Sequence, residues 1–364
     1  MHALQESVLL YPVYALLFAD AGLTTGEISS LFAVWSVVSF VAEVPSGALA
    51  DVWSRKRLYA LGQVVTAAGY GLWLLWPSFG GFLAGFVLWG LGGAFASGSL
   101  EALVYDRLGD GTAYNRLIGR ARTVGLLAML AATLLATPAY LTGGYLLVGA
   151  VSVATVTAGG LLALRLPDQP LAGTGEAGDS YPRMLRAGLR AAAGSRRMLL
   201  VAMAVPGFSA LDEYLPLLAR QMGVSTPAVP LLFAVTALAM AAGSALAGRF
   251  SPVSPRPLAV ALTLAAALTA GGALVPHPAG MMVVSAAFGL LQFAMVHAET
   301  RLQDAITGPA RATALSVAGF GAEVFAVLLY AAFALPLAMP ALFVAAAVPL
   351  LGTALLTPRR RAGR

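Results

Sequence analysis

The sequence predicts an all-helical membrane protein of twelve spans folded as two six-helix halves, and three observations predict it. Hydrophobic residues fill 59% of the 364 positions and charged residues only 10%, against about 45–50% and 25% in soluble chains. Of the 22 Lys and Arg residues, 21 fall in the even-numbered connections, at the span ends bordering them, or in the C-terminal tail, and only Arg220 lies opposite. Short stretches also recur at an offset of 197 or 198 residues.

The apolar runs, bounded by charges and turn residues, are taken in chain order. The first half reads Leu4–Ala21, Ser29–Ala50, Leu58–Trp76, Gly81–Tyr105, Ile118–Tyr140 and Tyr145–Leu166. Span 1 is short and has no basic leader or small-residue cleavage site, so it reads as a retained span rather than a signal peptide. The second half reads Met198–Gln221, Val229–Phe250, Leu258–Val275, Gly280–Asp304, Ala314–Leu335 and Pro340–Leu356. Each run is of the length a helix needs to cross hydrocarbon, where only helices or closed barrels satisfy every backbone group, and none alternates as a barrel strand does. The expected organisation is residues 1–166 as the N-terminal half, 167–197 as a cytoplasmic linker with a basic amphipathic run, and 198–364 as the C-terminal half and tail.

Basic connections stay cytoplasmic, so both termini are expected inside and the number of spans is even. That placement also accounts for the net charge of +6 without invoking nucleic acid. The near-exclusive use of Arg, with Lys56 the sole lysine, points to a GC-rich bacterial source and hence to a bacterial cytoplasmic membrane. There is no cysteine, and His2, His277 and His297 are scattered, so neither disulfide, thiol chemistry nor a metal site is expected.

Glu101 and Asp106 recur as Glu299 and Asp304, and Ala48-Leu49-Ala50 recurs as Ala245-Leu246-Ala247. Basic residues follow both acidic copies: Arg120 and Arg122 in the first, Arg311 in the second. With six spans per copy, the halves would be related by an axis along the membrane normal.

Between spans 2 and 3 the chain reads Gly47-Ala-Leu-Ala-Asp51-Val-Trp-Ser-Arg55-Lys56-Arg57. Gly47 allows close helix approach, and Arg55, Lys56 and Arg57 are placed to meet anionic lipid and carboxylates. The stretch resembles motif A of the major facilitator superfamily, with Val52 and Ser54 where that family usually has Arg and Gly. The resemblance extends to the whole chain through its twelve spans, cytoplasmic termini, central basic loop and half-repeat. Glu43-Val-Pro45-Ser-Gly47 is similar to the bacterial drug and metabolite exporters. What the resemblance implies is a secondary transporter with Asp51 in a cytoplasmic latch, working on a small-molecule substrate within the lipid bilayer as a monomer. Two other family signatures are missing: span 4 has no interior arginine, and Pro138 is too far from Gly143-Gly144 for motif C.

Acids within spans are Glu6, Glu43, Glu101, Asp212, Glu213, Glu299 and Glu323, whereas spans 3, 6, 9 and 12 carry none. An acid at mid-bilayer costs about 2.5–3.5 kcal/mol on insertion scales and is a functional candidate by default. Asp212 lies 14 residues into span 7 and Glu323 nine into span 11, roughly 21 Å and 14 Å deep. Both are candidate proton carriers, Glu323 first and Asp212 second, with Glu213, Glu43 and Gln292 as further cavity residues. Glu101, Asp106, Glu299 and Asp304 lie near the cytoplasmic surface and read, with Arg120, Arg122, Arg301 and Arg311, as gate residues. Pro206 and Pro216 should bend span 7 beside its acids. Gln292, Glu299 and Gln303 share a stripe, with His297 on its flank as a hydrogen-bonded structural residue. Trp35, Phe40, Tyr70 and Trp89 are candidate cavity aromatics, while Trp73 and Trp76 read as interfacial belt.

No phosphate-binding Gly-Lys loop exists, so ATP is not the expected energy source; that leaves ion gradients or facilitated diffusion, and a proton gradient, with no cofactor, is the expectation. An enzyme is the rival class, yet Ser97-Gly98-Ser99 and His297-Ala298-Glu299 lack the partners a nucleophile or zinc site requires. A receptor without transport is the remaining rival. Within transport, proton-coupled efflux of small, largely apolar or cationic compounds is the expectation, and proton-coupled uptake of a nutrient the alternative.

Overall fold

The computed structural model describes residues 1–97, 104, 111–166, 196–249, 255–305 and 310–357. Among these residues the regular structure is helical, with no strand, as expected where hydrocarbon offers backbone groups no partner. Nine stretches among them are long and apolar enough to cross a membrane, and Val317–Phe333 is a shorter apolar helix. Large aliphatic side chains remain exposed along their length, Leu75, Leu126, Leu146, Val348 and Leu355 among them, which suits a surface that meets lipid tails. The chain divides into two compact units, Met1–Thr174 with Thr226–Leu231 and Gly175–Ser225 with Leu232–Arg364. The basic run expected at Arg183–Arg197 falls outside the described residues, apart from the helical backbone of its last two positions.

In the first unit the helices are α1 His2–Glu6, α2 Tyr14–Asp20, α3 Thr25–Val52, α4 Arg55–Leu75, α5 Phe79–Ala96 and α6 Gly111–Ala163. Span 1 is therefore not the continuous helix the apolar run suggests. Pro12 has no N–H to donate and crowds the carbonyl one turn back, and residues 7–13 lie between α1 and α2 outside regular helix, with Leu10 O accepting from Val13 and Tyr14 N–H as a turn. The chain then turns at Gly22, whose φ of +93° favours glycine, with Leu23 N–H donating to Phe18 O at 3.1 Å. A reciprocal capping box between Thr24 and Glu27 starts α3.

Spans 5 and 6 run into one another as α6, interrupted by Gly143 and Gly144. Gly144 has φ +58° and ψ −153°, a conformation side chains avoid, so the predicted boundary coincides with this break.

The first unit's core is aromatic. Trp73, expected at the interface, is 0% exposed; its Nε1 donates to Phe82 O at 3.2 Å and its ring packs on Phe86 at 4.8 Å. Hydropathy marked it as near a span end, but α5 approaches closely enough through Gly85 to enclose it. Trp76 remains 55% exposed, as a belt residue should.

In the second unit the helices are α7 Arg196–Gly207, α8 Leu215–Gln221, α9 Val229–Ala247 from Leu232 onward, α10 Pro255–Ala273, α11 Ala279–Ala305, α12 Ala310–Phe333 and α13 Met339–Leu356. A 3-10 segment, Phe208–Tyr214, joins α7 to α8 and holds both acids of span 7. The bend expected from Pro206 and Pro216 is thus a change of helix type between them. Gly207 and Gly321 let α7 and α12 approach closely, Gly321 lying against Met203 and Gly207 against Phe325. Span 7 closes as span 1 does: Gly223 has φ +83°, and Val224 N–H donates to Ala219 O at 3.0 Å.

Each unit's first span is therefore broken by seven non-α residues, Ser7–Val13 and Phe208–Tyr214, and each ends on a left-handed glycine, Gly22 and Gly223. Both pairs stand at an offset of 201 residues, and the chain after each glycine reads Leu-Thr-Thr or Val-Ser-Thr.

Candidate functional site

A break in a membrane helix leaves backbone groups that must be satisfied by protein or by a cavity. In the first unit, α6 supplies that satisfaction with two hydroxyls. Leu10 N–H donates to Ser152 Oγ at 3.1 Å, and Thr155 Oγ1 donates to Ser7 O at 2.8 Å. Ser152 is itself 0% exposed and donates to Val148 O. Ser152→Ala and Thr155→Val should each leave a buried backbone group unpaired at about 1–3 kcal/mol. The check is thermal unfolding of the purified protein: both variants unfold at lower temperature than wild type, whereas Thr155→Ser keeps the wild-type value.

Beside this break stands an aromatic wall. Tyr11 stacks on Trp89 at 5.8 Å and 23°, Trp35 lies 4.9 Å from Trp89, and Tyr70 OH is 3.4 Å from Tyr11 OH. Three of the four aromatics proposed as cavity lining thus meet at Trp89, while Phe40 lies on α3 and is 39% exposed. Tyr11 was not singled out by sequence reasoning, although Pro12 beside it signalled the break.

In the second unit, Asp212 and Glu213 are half-buried on the 3-10 segment. Two aromatic contacts hold the segment against α12: Phe208 on Phe325 at 4.6 Å and Tyr214 on Phe333 at 4.2 Å. Tyr330 of α12 is within electrostatic reach of Asp212, Glu213 and Glu323 together. All three leading acids of spans 7 and 11 thus contribute to the electrostatic surroundings of one phenol. Sequence reasoning named each acid but had no means to place Tyr330 among them.

The remaining candidates disperse. Glu43 is exposed on α3, with its carbonyl bound by Ser46 Oγ at 2.8 Å. Gln292 donates to Ser244 Oγ at 3.1 Å, tying α11 to α9. His297 is buried at 2% exposure, with Nδ1 3.3 Å from Phe293 O, and its ring stacks on Phe293 at 4.4 Å. Glu299 accepts from Gln303 at 3.1 Å, and Asp304 is exposed on the same helix. Arg120 and Arg122 are exposed on α6. Glu101 and Asp106 lie outside the described residues, as do the side chains of Asp51 and Arg311.

Of the loop between spans 2 and 3, Gly47 has nothing within 4 Å of a built Cβ, so close approach at this position is not seen among the described residues. Arg55, Lys56 and Arg57 form the first turn of α4, where the helix dipole disfavours cations. Lys56 turns away from it and donates to the carbonyl of Leu166 at 2.9 Å, just past the end of α6, where a cation is favoured. Arg57 is exposed.

A helical membrane chain with broken first spans and acids grouped beside one of them has the build of a secondary transporter. The sequence matches the model of the Major Facilitator Superfamily over residues 2–328, and the chain belongs to that family. This makes it a multi-pass membrane transporter rather than an enzyme. Its fold is similar to that of the nucleoside transporter NupG, with a TM-score of 0.75 and 15% identity over 97% of this chain and 96% of that one. It is also similar to a bacterial homolog of the human lysosomal transporter Spinster, at TM-score 0.74 and 15% identity over 98% and 93% of the two chains. An auto-inhibited POT family peptide transporter aligns at TM-score 0.72 and 16% identity over 100% and 96%. No curated protein matches the sequence.

Proposed function

We propose that the chain is a proton-coupled exporter of small compounds, neutral or cationic and largely apolar, working by alternating access between two six-helix halves. The observation that carries this reading is the 3-10 break of span 7, which bears Asp212 and Glu213 and is packed by Phe208 and Tyr214 against α12, the helix of Glu323. Carboxyls in such a place are costly to keep charged in lipid, and alternation between charged and neutral forms is how they repay that cost in a pump. The absence of arginine from the interior of every span suits neutral or cationic cargo better than carboxylates or phosphates. On this reading the protein acts as a monomer in a bacterial cytoplasmic membrane, with both termini inside and no cofactor.

Proton symport is the second reading, favoured by the lack of an interior span 4 arginine and of motif C spacing. One measurement separates them. Purified protein is sealed into liposomes free of substrate, candidate neutral and cationic compounds are added outside, and external pH is followed. Antiport acidifies the outside as substrate enters and protons leave, whichever way the protein is oriented. Alkalinisation would establish symport and replace export by uptake.

A further inference from the structure

Span 3 carries no acid and has no part in the proton site, yet one face of its helix is polar. Tyr59, Gln63, Thr66 and Tyr70 stand at i, i+4, i+7 and i+11 of α4, on one stripe. All four are buried, at 2%, 3%, 8% and 0% exposure. They line a cavity of about 320 Å³ inside the first unit, completed by Gln5, Tyr11 and Trp89 among others. Close approach of α5 through Gly92, against Gly62 and Thr66, helps shape one wall.

Two of the hydroxyls are engaged in the wall itself. Tyr59 OH donates to Gln5 Oε1 at 2.9 Å, and Tyr70 OH lies 3.4 Å from Tyr11 OH. Gln63 differs from them: it lines the cavity, is almost wholly buried, and has no side-chain hydrogen bond among the described residues. Its carboxamide offers the cavity an acceptor and two donors that no side chain or backbone group among the described residues engages.

We propose that this cavity binds a small, neutral, planar molecule presenting a donor and an acceptor on one edge, a lactam or a similar amide-edged heterocycle. Gln63 reads that edge with two hydrogen bonds, the way a carboxamide side chain reads the edge of a base, and the Tyr11–Trp89 pair borders the flat face. The cavity's size falls at the small end of small-ligand sites. Among the described lining residues none is acidic, Arg or Lys, and His2 is the one basic side chain, so a cation finds no counter-charge there. The inference rests on the transporter reading only in making this cavity a substrate subsite; binding itself is independent of coupling and direction.

The test uses the purified full chain in detergent and its tryptophan fluorescence, with uracil and 2-pyridone as probes and glucose and tetraphenylphosphonium as comparators. Both lactams should quench saturably, and Trp89→Phe should remove most of that signal. Gln63→Met should weaken lactam binding by about tenfold or more at an unchanged unfolding temperature. With wild-type protein, 1,3-dimethyluracil, which keeps the ring but loses the N–H donors, should bind about tenfold or more weakly than uracil. The proposal is overturned if the lactams bind no better than glucose, or if 1,3-dimethyluracil binds as well as uracil. Lactam binding without a pH change in liposomes would sink proton coupling alone; a pH change driven by other compounds, with no lactam binding, would sink this site alone.

Discussion

Asp212→Asn combined with Glu213→Gln is expected to abolish uphill transport while leaving downhill exchange of substrate intact. Both replacements keep the shape and hydrogen-bonding capacity of the carboxyl and remove its proton exchange. The site they occupy is a 3-10 segment pinned to α12 by Phe208–Phe325 and Tyr214–Phe333 contacts. Those contacts do not involve the carboxyls, so the double variant should fold. Insertion scales put the cost of an acid at mid-bilayer at about 2.5–3.5 kcal/mol, so removing two acids should also make the span easier to insert. Accumulation against a gradient should fall by about tenfold or more, since about 1.4 kcal/mol of lost coupling already changes a ratio tenfold. Substrate counterflow, which needs no proton, should continue. Glu323→Gln provides the graded comparison, because Glu323 shares the electrostatic surroundings of Tyr330 from the other helix. If the double variant accumulated substrate as wild type does, the coupling site would have to lie elsewhere.

The second large effect is structural. α4 and α5 meet backbone to backbone at two glycine pairs, Gly62 with Gly92 and Gly69 with Gly85. A Cβ on Gly62 would stand 3.0 Å from Ala96 N and also against Gly92 O, neither of which can swing away as a side-chain tip would. Lipid tails are as apolar as the side chains they replace, so membrane helices associate through such close packing rather than through a hydrophobic drive. Gly62→Val should therefore force the pair apart, costing at least the 1–3 kcal/mol typical of overpacking, and open the seam beside Thr66. The expected result is a large loss of monodisperse protein on gel filtration and a lower unfolding temperature. Gly71→Ala on the same helix is the contrast, since nothing lies within 4 Å of its Cβ. Relief of glycine's entropy should stabilise it by roughly 0.5–1 kcal/mol. Equal behaviour of the two variants would mean that the α4–α5 seam does not hold the first unit together.

These two expectations differ in how far the sequence alone could reach them. The acids of span 7 and the prolines beside them were legible, because charge in an apolar run and a missing N–H are local facts. The break of span 1 was equally local, signalled by Pro12, but reading Leu4 to Ala21 as a single span hid it. What stabilises it was not local: Ser152 and Thr155 stand more than 140 residues away in sequence and read, in α6, as ordinary small polar residues. Tyr330 came within electrostatic reach of the acids of spans 7 and 11, Trp73 moved from belt to core, and Gln63 acquired a cavity for the same reason.

By itself the sequence determined that the chain is helical, that it lies in a membrane, and that it belongs with the major facilitators. Those properties follow from hydropathy, from the distribution of charge and from a short loop motif, each readable along one dimension. Only the tertiary structure decided which face of a helix meets which neighbour. In lipid that choice rests on close approach at glycines and on the pairing of buried hydroxyls and amides, and both depend on residues that the chain brings together from far apart.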